Sequence, residues 1–121
     1  MGNIKKLEIL ELSLDLAIII YKKTFDAQLS KDFALKDQIR RSAISVPSNI
    51  AEGAASGFDK LGLRYFYNAR GSLVELETQL IIATRIGHLN KIEHSKLSIN
   101  IEVIHKKLNK LIKYRKEIIA K

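Results

Sequence analysis

The chain has 121 residues and a formal net charge of +8, is 46% hydrophobic and 28% charged, and contains no cysteine. That length suits one small domain, and the balance of apolar and charged residues excludes a disordered chain. Without cysteine there is no disulfide framework and no thiolate chemistry. The longest apolar run, Leu16 to Tyr21, falls far short of the ~20 residues of a membrane span. The opening "MGNIKKLEILELSLDL" carries acids where a signal peptide needs an unbroken apolar region. The expectation is a cytoplasmic protein with no membrane partner, folded as a single domain over residues 1–121.

The charge is uneven. Residues 90–121 hold nine of the 21 Lys and Arg but only three of the 13 Asp and Glu. Such asymmetry favours an anionic partner.

Helical periodicity runs through the whole chain, and strand signals are poor. The first predicted helix spans about Glu8 to Phe25. Ile9, Leu12, Leu16 and Ile19 form one apolar line, with Leu10, Leu14, Ala17 and Tyr21 beside it, so a wide face should be buried. "FDAQLSKDF" interrupts. The second helix spans about Phe33 to Ala55, with Leu35, Ile39, Ala43, Val46 and Ile50 inward. The third spans about Asp59 to Gly87, and its seam is Gly62, Phe66, Ala69, Leu73, Leu76, Leu80 and Ala83. The small residues there allow close approach. The fourth spans about Lys91 to Ile119, seamed by Leu97, Ile101, Ile104, Leu108 and Leu111. Short connections between long helices predict an all-α fold, an antiparallel up-down-up-down four-helix bundle.

The second helix also carries a polar stripe: Gln38, Ser42, Ser45, Asn49 and Glu52. The third carries Tyr65, Asn68, Ser72, Glu75 and Gln79 at matching spacing. Folding the two back about Ser56–Gly57 sets Asn49 against Tyr65, Ser45 against Asn68, Ser42 against Ser72 and Gln38 against Glu75. Arg41 comes within reach of Glu75, and Glu52 within reach of Arg64. This predicts a hydrogen-bonded seam that fixes helix register. A subunit interface and a ligand site are the competing uses of the same stripe. Pro47 lies inside the second helix and takes the hydrogen-bond partner from the Ala43 carbonyl. A kink is expected, with a break into two short helices as the alternative. Ser45 and Ser48 are placed to bond nearby carbonyls.

Catalytic patterns are missing. His88, His94 and His105 form no i, i+4 pair of the kind a metal site uses. Glu52, Glu75 and Glu77 suggest a carboxylate cluster, but only Glu102 and His105 make a Glu-x-x-His motif, and a di-metal bundle needs two. Ser72 has no positioned histidine. The reading is a non-enzyme with no metal and no cofactor.

The last helix is the functional lead. Lys106, Lys110 and Lys113 line one outward face, flanked by Lys107 and Lys116. Lysines of this kind contact phosphates in a salt-sensitive, sequence-tolerant way. An ordinary solvated face would look the same. Arg115 falls within the apolar arc, which suggests either snorkelling from the helix end or a subunit contact.

"DQIRRSAISVPSNIAEG" (residues 37–53) and "NARGSLVELETQL" (residues 68–80), with "YKKTF" (residues 21–25) and "RIGHL" (residues 85–89), carry a family resemblance. Over about Leu7 to Leu89 the chain resembles the bacterial four-helix bundle proteins called 23S rRNA intervening sequence proteins. It is also similar to the accessory variability protein of diversity-generating retroelements, a pentamer that binds nucleic acid and a reverse transcriptase. The resemblance implies a four-helix bundle that assembles as a homopentamer. In such an assembly each basic face recurs, and weak attraction becomes multivalent. Two functions follow: a homo-oligomer that binds nucleic acid, RNA above all, or a scaffold for a protein partner. Four Tyr, four Phe and no Trp leave few rings for sequence-specific single-strand recognition.

Overall fold

The computed structural model describes residues 2–57 and 60–121, and of residues 2–7 the backbone alone. The described residues form five helices and no strand: α1 (Gly2–Lys23), α2 (Ala27–Lys31), α3 (Phe33–Ala55), α4 (Lys60–Arg85) and α5 (Lys91–Ala120). The interruption "FDAQLSKDF" therefore contains a helix of its own, α2, which buries Leu29 and packs on α3. The expected third-helix start at Asp59 lies outside the described residues. No helix among the described residues is long and apolar enough to cross a membrane.

The four long helices surround one apolar core. α1 and α4 each pack against both α3 and α5. The seams expected for α4 and α5 are buried along their whole length. On α3, Ile39, Ala43, Val46 and Ile50 are buried as expected. α1 differs from expectation. Its buried line is Ile9, Ser13, Leu16 and Ile20, while Leu14, Ile19 and Tyr21 stay exposed. Ser13 is tolerated in the core because its hydroxyl donates to the Leu10 carbonyl at 2.9 Å.

Local chemistry sets the ends. The Asp32 side chain accepts from Leu35 N at 3.2 Å and caps α3, and that of Asn90 accepts from Glu93 N at 2.8 Å and caps α5. Gly57 follows α3 with φ +76, a conformation that favours glycine. α3 runs unbroken across buried Pro47, so the two-helix alternative does not occur. Ser48 Oγ donates to the Ile44 carbonyl at 2.9 Å beside it. At one end of the molecule Lys23 pairs with Glu93, joining α1 to α5. There too His88 Nε2 lies 3.1 Å from Asp32 Oδ2, joining the α4–α5 turn to α3.

α3 and α4 come closest near the turn that joins them. A Cβ at Gly53 would sit 2.7 Å from the Phe66 ring, and one at Gly62 would sit 2.6 Å from the Gly57 carbonyl oxygen. The core face of α5 ends on Arg115, which is completely buried. Its Nη1 donates to the Gly57 carbonyl, Nη2 lies 3.5 Å from the Gly53 carbonyl oxygen, and its guanidinium sits 5.0 Å from the Phe66 ring centre. Arg115 thus neither snorkels to solvent nor reaches outward to a subunit contact. It turns inward because the C-terminal carbonyls of α3 need donors that the helix cannot supply.

Two predictions follow from this packing. Gly62→Ala forces a methyl onto the Gly57 carbonyl and should cost about 1–3 kcal/mol in urea unfolding. Gly71→Ala, at a helical position with nothing within 4 Å, should gain up to about 1 kcal/mol in the same assay. A separate prediction concerns pH. The hydrogen bond to Glu93 raises the Lys23 pKa above its ordinary value, and the same bond from Lys23 lowers that of Glu93. The depressed Glu93 contributes stability above the ordinary carboxylate range, lost as pH falls through its folded value. The raised Lys23 contributes below the ordinary lysine range, lost as pH rises through its folded value. Glu93→Gln should therefore flatten part of both the acid and the alkaline limbs of a stability–pH curve.

Candidate nucleic-acid interface

α5 presents two faces because its apolar residues recur on one side only. With Leu97, Ile101, Ile104, Leu108 and Leu111 turned inward, Lys106, Lys110 and Lys113 fall on the outward side, and all three are exposed. Their environments differ. Lys106 Nζ lies 3.2 Å from Glu102 one turn back, in an exposed pair that is worth little. Lys110 and Lys113 make no ion pair among the described residues.

The flanking lysines turn toward neighbouring helices. Lys107 is half-buried, and its Nζ lies 2.6 Å from Glu8 Oε1 on α1. Its charge is already answered within the chain. Lys116 sits 5.7 Å from the centre of the Tyr67 ring on α4. Arg70 lies 5.0 Å from the same ring and donates to Asn109 Oδ1 at 3.0 Å. The basic surface therefore continues from α5 onto α4 through Tyr67 and Arg70, two residues that the sequence reading leaves out. The only hint is that their positions flank the buried seam residues Phe66 and Ala69.

The polar seam between α3 and α4 forms, but one helical turn away from the expected register. Ser45 Oγ lies 2.8 Å from Ser72 Oγ, where Asn68 was the expected partner. Gln38 Oε1 accepts from Gln79 Nε2 at 3.4 Å, where Glu75 was expected. Asn49 donates to the Ser45 carbonyl at 2.9 Å and to Ser45 Oγ at 3.0 Å, within its own helix. Asn68 and Glu52 are exposed, and no ion pair joins Arg41 to Glu75 or Glu52 to Arg64 among the described residues. α3 ends at Ala55 as expected, so the shift comes not from its length but from how α4 lies along it, with the Phe66 ring packed against Gly53.

Between α1 and α3 lies an open apolar groove. Leu14, Ile18 and Tyr21 on α1 and Ile44 and Pro47 on α3 contribute to its walls. Leu14, Ile18 and Ile44 are exposed there. Of the second apolar line of α1, Leu14 and Tyr21 are thus left uncovered within one chain, while Ala17 is buried. Among the described residues no group of three or more His, Asp or Glu is placed to hold a metal ion. His94 Nε2 lies 3.3 Å from Ser98 Oγ on the same helix.

Comparison with known proteins places this architecture. The profile of the family described as 23S rRNA-intervening sequence protein matches residues 5–110. A crystal structure of a protein of unknown function from the S23 ribosomal protein family, from Bacteroides thetaiotaomicron VPI-5482, superposes with a TM-score of 0.82 at 23% identity. The match covers 90% of this chain and 98% of that one, and it shows a shared fold. No functionally curated protein matches the sequence.

Proposed function

The chain belongs to the 23S rRNA-intervening sequence protein family, and we propose that it is a non-enzymatic RNA-binding protein that works as a homo-oligomer of up-down-up-down four-helix bundles. The observation that carries this reading is the outward face of α5. Lys110 and Lys113 are exposed there with no acidic partner among the described residues, and Lys106 is engaged only by an exposed glutamate. Lysines held in this way exchange counterions for phosphates at little internal cost. Lys116, Tyr67 and Arg70 extend the same surface onto α4.

The groove between α1 and α3 supports self-association. A second copy covering Leu14, Ile18 and Ile44 would bury apolar surface that a chain this short leaves in water. The resemblance to the family and to the accessory variability protein implies a pentamer, in which five lysine faces would act together. We place this assembly in the cytoplasm and assign it no cofactor. The same groove favours the second reading, in which the occupant is a different protein and the chain is a scaffold with no nucleic-acid role.

Fluorescence anisotropy with labelled RNA across a salt series tests the proposal, on protein whose mass is measured in the same buffer. Affinity should fall steeply with salt. Lys110→Gln with Lys113→Gln should reduce the logarithmic salt slope by about 1.5–2. Lys107→Gln, already paired with Glu8, should change it little. RNA binding that is absent at low salt contradicts the proposal and favours the scaffold.

A further inference from the structure

Two of the most exposed apolar side chains in the molecule are phenylalanines at one corner. Phe25, just past the end of α1, is 65% exposed, and Phe33, at the start of α3, is 69% exposed. Burying either ring would be favourable by a large margin, and neither is buried. Each already carries a cation. The Arg40 guanidinium lies 4.8 Å from the Phe25 ring centre and 4.2 Å from that of Tyr21, and its Nε donates to Thr24 Oγ1 at 2.7 Å. Lys36 Nζ lies 4.5 Å from the Phe33 ring centre.

We propose that this corner is a base-stacking site for single-stranded RNA. Phe25 and Phe33 each offer an open ring surface to a base, while Arg40 and Lys36 sit against the rings and supply the charge for neighbouring phosphates. Exposed aromatic rings interleaved with cations are what a flexible strand needs, since every base has a π-face and every nucleotide a phosphate. Arg40 makes no ion pair among the described residues, so its remaining N–H groups can turn to an anion. Tyr21 packs on Phe25 with ring centres 5.9 Å apart and fixes the ring in place. The site rests on the reading of the chain as an RNA binder but uses different residues at the opposite end of the molecule. The corner adjoins the Lys23–Glu93 pair, whereas the α5 lysines adjoin Glu8.

The test uses the full chain and three RNAs of one length: a single strand carrying 2-aminopurine, an abasic strand and a duplex. Anisotropy reads affinity and 2-aminopurine emission reads stacking. The wild-type chain should quench the emission and prefer the single strand. Phe25→Leu with Phe33→Leu should remove the quench and weaken single-strand binding by about tenfold or more, leaving abasic and duplex binding unchanged. Phe25→Tyr with Phe33→Tyr keeps the rings and should keep the quench. Lys110→Gln with Lys113→Gln should weaken all three RNAs and leave the quench intact. An unchanged quench and affinity in the leucine variant overturns this site while the α5 interface stands. A drop in its solution mass with the quench retained also overturns it and makes the corner a subunit contact. Loss of binding in the leucine variant alone, with the lysine variant unaffected, supports this site and removes the α5 interface. RNA binding absent at every salt concentration overturns both.

Discussion

One buried guanidinium ties the molecule together. Arg115 comes from α5, sits against Phe66 of α4, and reaches the carbonyls of Gly57 and Gly53 at the end of α3. A charge taken wholly out of water is costly unless its donors are used, and the unfilled carbonyls at a helix C-terminus are suited to use them. The space for it exists because Gly62 has no side chain, and the bare Gly53 makes room for the Phe66 ring beside it. A Cβ at Gly62 would come within 3.1 Å of Arg115 Nη1. The α3–α4 turn and the seat of α5 therefore share one set of contacts.

That contact has a consequence for the surface. With Arg115 pointing inward, the rotation of α5 about its axis is settled, and so is the direction in which Lys106, Lys110 and Lys113 point. The remaining surface divides by chemistry. Lysines lie on the outer side of α5, rings clasped by cations lie where α1 meets α3, and an uncovered apolar groove runs between those two helices. A single chain thus carries a charged face, an aromatic corner and an apolar seam, three surfaces that ask for different kinds of contact.

Much of this is legible in the sequence, and the parts that are not share a cause. The seams of α4 and α5 are plain because each has one apolar line at regular spacing. α1 has two adjacent apolar lines, so spacing alone does not say which is buried. The core in fact takes the line through Ser13, whose hydroxyl is satisfied locally. The α3–α4 seam is visible as matching polar stripes, but its register depends on how α4 lies along α3, with Phe66 packed against Gly53. That is a contact between helices, which no periodicity contains. Arg115 is misread for the same reason: its acceptors are backbone carbonyls far away in sequence. The five lysines in the C-terminal half of α5 are found from the sequence. Which of them are already engaged is not, because Glu8 and Tyr67 belong to other helices.

Amide hydrogen exchange on the wild-type chain and on Arg115→Met tests the linkage most directly, since methionine keeps the apolar bulk and removes the donors. The last turns of α3 around Gly53 and the C-terminal half of α5 should lose protection together, while the centres of α1 and α4 keep theirs. Unchanged protection in both segments, or loss in α5 alone, would contradict the linkage.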